Sequence, residues 1–410
     1  MLKEFKEFKE FKEFKYEDYI GTQGNFTAEE IIQQPRMWLE TALILENRLS
    51  EITEFMERVK KSVPCLRICI TGAGSSGYCA DMLAAAANKY LGYKADSPHT
   101  TDIVGSADSV LFEDVPTLLI SLARSGNSPE SAGAVTYARK KITHLFEICV
   151  TCAKNGALCK ISDENESGNI LKIILPEKTC DRGFAMTSSF TSMAVAVYGI
   201  LSYKHFTEFK ANISNLASAV SDSLNNLCQT ARAAVSEKPF DRAAFLGAGV
   251  LKGIAHESFV KMSELTAGGV NVVWETPMGF RHGPKSMLTG DTVILHMVSG
   301  DSLTRKYDVD LLRELISQKK QKQQKQQYKI VTVSGMPLDT EDFEDIEDIE
   351  DIDYKVTFDT VFPNDFYFAV AGVVFSQVFA FFKSQSMGIA SDNPCPSGEV
   401  NRVVQGVTIY

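Results

Sequence analysis

The chain is 410 residues long, 44% hydrophobic, and carries 52 acidic against 42 basic side chains for a formal charge of −10. That length exceeds what one hydrophobic core ordinarily supports, so two domains or one duplicated domain are expected. The mild acidity of most of the surface excludes a nucleic-acid binder that works by neutralising phosphates.

Residues 1–24 form a low-complexity leader, in which Lys-Glu-Phe repeats with period three over the first fifteen residues. This period matches neither the alternation of a strand nor the turn of a helix. From about residue 40, strand, loop and helix alternate as in a parallel sheet covered on both faces. An apolar run over 66–70 leads into Thr71-Gly72-Ala73-Gly74-Ser75-Ser76-Gly77, a glycine corner ahead of an alanine-rich helix. A second run, 117–123, leads into Arg124-Ser125-Gly126-Asn127-Ser128-Pro129.

Both corners recur. Phe245-Leu246-Gly247-Ala248-Gly249 answers the first and the 292–300 stretch answers the second, with 54 residues from Gly72 to Gly126 and 53 from Gly247 to Gly300. Duplicated α/β domains over 40–207 and 215–410 follow. The Gln/Lys tract 318–327 and the acidic tract 341–353 read as two surface insertions, since lengthening a loop costs little closure entropy. With nine acidic residues against four lysines, they carry half of the charge imbalance. The apolar stretch 366–382, interrupted by Ser376 and Gln377, is short for a bilayer span and reads as a buried helix, so no membrane partner is expected. Nine cysteines without regular spacing, and no signal peptide ahead of them, point to a reduced, cytoplasmic setting. Cys149, Cys152 and Cys159 have no second pair to complete a metal site and read as core thiols.

Gly72, Gly74 and Gly77 fit G-x-G-x-x-G, and Asp96 lies where a dinucleotide-binding fold places its ribose acid, which keeps an NAD-dependent dehydrogenase as one reading. The second corner favours a phosphate monoester. It offers backbone N–H groups, the hydroxyls of Ser125 and Ser128 and the Arg124 guanidinium to one dianion, while Ser75 and Ser76 open the helix opposite. Ser128 before Pro129 also fits a helix N-cap, which is compatible with binding. Glu257, Lys261 and Glu264, spaced by four and three, share one helix face just beyond the third corner. They form either a solvated ion-pair ladder or a group facing the mouth of the sheet. His282 stands among glycines and a proline, and its imidazole suits acid–base work near neutrality.

The strings ARSGNSPES, DRGFAMTSSFTSM (181–193), SELTAGG, GFRHGPKS and the closing DNPCPSGEVNRVVQGVTIY are similar to the tagatose-6-phosphate ketose/aldose isomerase family, also described as galactosamine-6-phosphate deaminase/isomerase. The similarity covers about Phe26 to Tyr410 outside the two tracts. It implies two tandem doubly wound, flavodoxin-like parallel-sheet sugar isomerase (SIS) domains that bind a hexose or hexosamine 6-phosphate, without cofactor or metal. The phosphate would be anchored by Ser75, Ser76, Arg124, Ser125 and Ser128. The E-x3-K-x2-E and H-G-P patterns resemble the isomerase half of glucosamine-6-phosphate synthase. That resemblance makes a partly buried Glu264 the proton shuttle between C2 and C1, with Lys261 stabilising charge and Glu257 positioning. It also makes His282 the ring-opening group supplied by a neighbouring subunit, hence a homodimer or higher homo-oligomer with shared sites. The synthase's tail lysine is replaced here by Gln405. A non-catalytic phosphosugar-binding regulator on the same fold is the alternative.

Overall fold

A computed structural model describes residues 26–63, 65–163, 168–321, 327–339, 342–343, 349–404 and 406–410. The leader and Gln405 lie outside the described residues, as do parts of both tracts. The described roots of the tracts are tied to each other, Lys319 Nζ to Asp353 Oδ2 at 2.6 Å and Lys320 Nζ to Asp351 Oδ2 at 2.9 Å.

Among the described residues ten strands form two five-stranded sheets with every pairing parallel. The first contains β1 (Arg67–Thr71), β2 (Ala95–Asp96), β3 (Thr117–Ala123), β4 (Leu145–Thr151) and β5 (Ile170–Ile174), in the order β2-β1-β3-β4-β5. The second contains β6 (Arg242–Leu246), β7 (Asn271–Glu275), β8 (Thr292–Val298), β9 (Lys329–Ser334) and β10 (Tyr354–Thr357), in the order β10-β9-β8-β6-β7. Counted from its own first strand, each sheet reads 2-1-3-4-5, so the echo of glycine corners is a duplication of topology. β3 and β8 are buried at all seven positions, which suits strands covered on both faces by crossover helices. In this order the chain leaves β1 and β3 toward opposite sides, opening a crevice at their carboxyl ends where doubly wound proteins bind ligands.

The two domains meet helix to helix through one continuous apolar core. Ser75–Tyr90, which follows β1, packs on Leu251–Leu265, which follows β6. They approach closely at Gly253, where a Cβ would lie 2.7 Å from the Tyr78 carbonyl oxygen and 2.8 Å from the Met82 nitrogen. The apolar run near the C-terminus is a 22-residue helix, Asp365–Ser386, with mean hydropathy 1.6 and the length of a membrane span, yet its apolar window is wholly buried inside the protein. Against it lies Phe206–Ser236, a 31-residue helix that runs straight through 208–214, where sequence pattern places the gap between domains. Phe26–Ile32 and Gln34–Asn47, both beginning ahead of residue 40, also pack onto this core. Cys149, Cys152 and Cys159 are buried, and burial pushes the Cys149 thiol up to about 12, which makes it an inert core group.

Candidate active site

The first corner is built by its glycines. A Cβ on Gly72 would lie 2.5 Å from Ser76 Cβ, and Gly74 takes φ 55°, so the chain turns at once from β1 into Ser75–Tyr90. Ser75 and Ser76 therefore sit at a helix N-terminus, 5% and 4% exposed. Opposite them, at the end of β3, Arg124 is also buried. Its Nη1 donates to the Phe184 carbonyl at 3.2 Å and its Nη2 to the Arg402 carbonyl at 2.6 Å. Burial holds this guanidinium below its usual value, with Asp181 opposing. Ser125 is half-buried, and its Oγ accepts from Asn127 N at 3.3 Å. Ser128 caps Pro129–Lys141: its Oγ accepts from Ser131 N at 3.3 Å and bonds Ser131 Oγ at 2.7 Å. That hydroxyl is engaged in the cap together with the Ser131 N–H, and Pro129 has no N–H to offer.

The three charged residues on Leu251–Leu265 are no solvated ladder. Glu257 and Lys261 have fully buried side chains, and only Glu264 reaches solvent, at 31%. Lys261 Nζ lies 2.6 Å from Glu264 Oε2, 3.1 Å from Ser75 Oγ and 3.4 Å from Glu257 Oε1. Burial pulls the Lys261 ammonium down, but Glu257 and Glu264 outweigh it and hold the group above its ordinary value. Burial, opposed by Lys261 and helped by Glu264, pushes the Glu257 carboxyl up to about 7. Arg124 lies close enough for its charge to act on Glu264 and Lys261. The fold thus gathers Ser75, Arg124, Glu257, Lys261 and Glu264 at the mouth of the first sheet, with Ser76 one residue further along its helix.

His282 does not join them within the chain. It is exposed in the turn after Pro277–Phe280, and among the described residues its side chain makes no hydrogen bond or ion pair. The turn itself is firmly held. Thr276 caps it by accepting from Gly279 N at 3.0 Å, Gly283 takes φ 135°, and Arg281 reaches Glu314 at 2.7 Å and Asp310 at 2.9 Å.

Two features of the glycine motif have other duties. Asp96, in the place of a ribose acid, is paired with Arg67 at 2.6 Å on the sheet edge, and Gly77 makes room for the His99 ring, 2.8 Å from where its Cβ would be. Sequence reasoning missed several neighbours. Asp181 is fully buried and accepts from Thr187 N, Ser188 N and Ser189 N at 2.8, 3.0 and 3.0 Å, capping Ser188–Leu201. Asp181 stands six residues before the N-cap position Thr187, so no local capping pattern marks it in the sequence. His256, beside Glu257, stacks between Tyr78 (3.6 Å) and Trp274 (4.0 Å), and burial takes it down to about 4, so it is a neutral packing group.

In the second domain the matching corner is filled from within. Ser299 Oγ donates to Asp365 Oδ2 at 2.6 Å and Gly300 N to Asp365 Oδ1 at 2.9 Å. Among the described residues no three His, Cys, Asp or Glu side chains are grouped as a metal site.

Tandem 2-1-3-4-5 sheets with a serine-rich phosphate corner define a SIS-type phosphosugar protein, and the SIS domain family matches residues 63–202. The D-galactosamine-6-phosphate deaminase AgaS of a Shewanella species is 36% identical over 94% of this chain and 92% of its own length. That of Escherichia coli is 33% identical over 96% and 98%. The solved tagatose-6-phosphate ketose/aldose isomerase of Escherichia coli has a TM-score of 0.83 at 30% identity, covering 94% of this chain and 96% of that one. The chain belongs to the D-galactosamine-6-phosphate deaminase AgaS family.

Proposed function

We propose that the protein converts galactosamine 6-phosphate to tagatose 6-phosphate and ammonia by moving a proton from C2 to C1 of the open-chain sugar. The observation that carries this reading is the Lys261 ammonium, 2.6 Å from Glu264 and 3.1 Å from Ser75, which joins an acid–base pair to the phosphate corner.

The 6-phosphate sits between the N-termini of Ser75–Tyr90 and Pro129–Lys141, against Ser76, Ser125 and Arg124. Ser75 accepts from Lys261 and keeps its own proton to donate. Anchoring the far end of the sugar turns binding energy into orientation at C2. The Glu264 carboxylate removes the C2 proton, and the electron pair moves through C1 onto O1, where the Lys261 ammonium stabilises the developing charge. Glu264 returns the proton to C1 and O1 is protonated, which leaves an iminium at C2. Water adds there and ammonia departs, giving the ketose. Buried Glu257 keeps the Lys261 ammonium charged and aimed. His282, presented on its rigid turn, reaches the sugar ring of a neighbouring subunit in a homo-oligomer and protonates the ring oxygen.

Incubation with galactosamine 6-phosphate is expected to release ammonia and tagatose 6-phosphate in equal amounts. Interconversion of tagatose 6-phosphate without ammonia from the amine would overturn deamination in favour of simple isomerisation. Glu264→Gln is expected to lower kcat by about 10² to 10⁴. Mixing Glu264→Gln chains with His282→Ala chains, each nearly inactive, is expected to restore activity in hybrids, because one site then has both groups. No recovery would place His282 outside a shared site.

A further inference from the structure

Glu30 lies on Phe26–Ile32, outside both sheets and outside the matched SIS domain, yet its side chain is directed onto the 182–183 loop, next to the residue whose carbonyl holds Arg124. It is 3% exposed, a costly place for a carboxyl unless its acceptors are used. They are used: Arg182 N donates to Oε1 at 2.5 Å and Gly183 N to Oε2 at 3.1 Å. The contact leaves no slack. A Cβ on Gly183 would lie 2.7 Å from Thr27 Oγ1 and 3.0 Å from Glu30 Oε2. The carbonyl of the following residue, Phe184, receives Arg124 Nη1 at 3.2 Å. Helix, loop and guanidinium are therefore linked through three consecutive residues, 182–184.

The helix is itself held in place. Asp392, from the C-terminal segment, accepts from Phe26 N at 2.9 Å, Thr27 N at 2.8 Å and Thr27 Oγ1 at 2.6 Å, while Ser188 Oγ donates to the Glu30 carbonyl at 2.6 Å. Holding the loop to the rest of the domain already falls to Asp181, which caps Ser188–Leu201. The two Glu30 bonds go instead to the amides just before the carbonyl that aims Arg124.

We infer that Glu30 is a positioning residue for substrate phosphate, fixing the 182–184 peptides that hold the Arg124 guanidinium at the corner. This rests on the reading of Arg124 as a phosphate anchor, so its test includes Arg124.

KM and kcat for galactosamine 6-phosphate, and the rise in Tm produced by inorganic phosphate, would be measured on full-length Glu30→Ala, Glu30→Gln, Arg124→Ala and the Glu30→Ala/Arg124→Ala double variant. Glu30→Ala is expected to raise KM about tenfold with kcat within about threefold, and to lose most of the phosphate-induced Tm rise. Glu30→Gln, which keeps an acceptor oxygen, is expected to restore KM to within about threefold. The double variant is expected to bind no worse than Arg124→Ala alone, since the two act as one unit. Should Glu30→Ala fail to fold, Glu30→Asp draws the acceptor back by one methylene and makes the same comparison with Gln. Wild-type KM in folded Glu30→Ala or Glu30→Asp, or a double variant whose defects multiply, would overturn the inference. Unchanged phosphate binding in Arg124→Ala would overturn the anchor reading first and this inference with it.

Discussion

The charged cluster on Leu251–Leu265 is built around one buried ammonium. Lys261 is shared by two carboxylates of different exposure: Glu264 reaches solvent, while Glu257 is sealed. The E-x3-K-x2-E spacing is legible from helix geometry alone. Whether that face is an exposed ladder or a sealed triad depends on the atoms stacked over it, and spacing says nothing about those. Glu30 is another sealed carboxyl, pushed up to about 8 first by burial and then by Asp181, from an ordinary 4.5. A raised acid holds more protons folded than unfolded, so its contribution to stability falls as pH rises from about 4.5 through about 8. Glu30→Gln removes that titration. Its Tm minus that of wild type is therefore expected to grow more positive from about pH 5 to about pH 8 in calorimetric scans. A difference that stays flat would mean that Glu30 is not destabilised by ionisation.

The decisive element contact is that of Ser75–Tyr90 with Leu251–Leu265, because it brings Lys261 to Ser75 across the two domains. Gly253 permits it. Gly253→Ala places a methyl group 2.7 Å from a backbone carbonyl of the facing helix, which cannot yield as a flexible side chain would. The helices must separate, at a cost of roughly 1–3 kcal/mol, to be read from denaturant unfolding. The same variant is expected to weaken binding of galactosamine 6-phosphate by lengthening the Lys261 to Ser75 bond. The glycines of the corners were legible because each precedes a helix after an apolar run. Gly253, inside a helix, gives no such signal, since its partner atoms belong to a helix far back in the chain. Phe206–Ser236 is amphipathic and, buried against Asp365–Ser386, runs continuously across 208–214, between the two domains.

Across the whole molecule, duplication has produced two sheets of the same order whose corresponding corners differ, the one after β8 being filled from within. In the second domain the Asp365 carboxylate takes the hydroxyl and N–H that a ligand anion would take. Equilibrium dialysis is therefore expected to give one galactosamine 6-phosphate per chain, and two would show that Asp365 gives way.

Strand–corner–helix units, their repetition and the roster of reactive groups were set by sequence alone, because they follow from short-range periodicity and from turns that only glycine enters easily. Tertiary structure alone decided which carboxyl is sealed, which corner is filled and that Lys261 meets a serine 186 residues away. Desolvation and ion pairing act between atoms close in space, and here those atoms come from opposite halves of the chain.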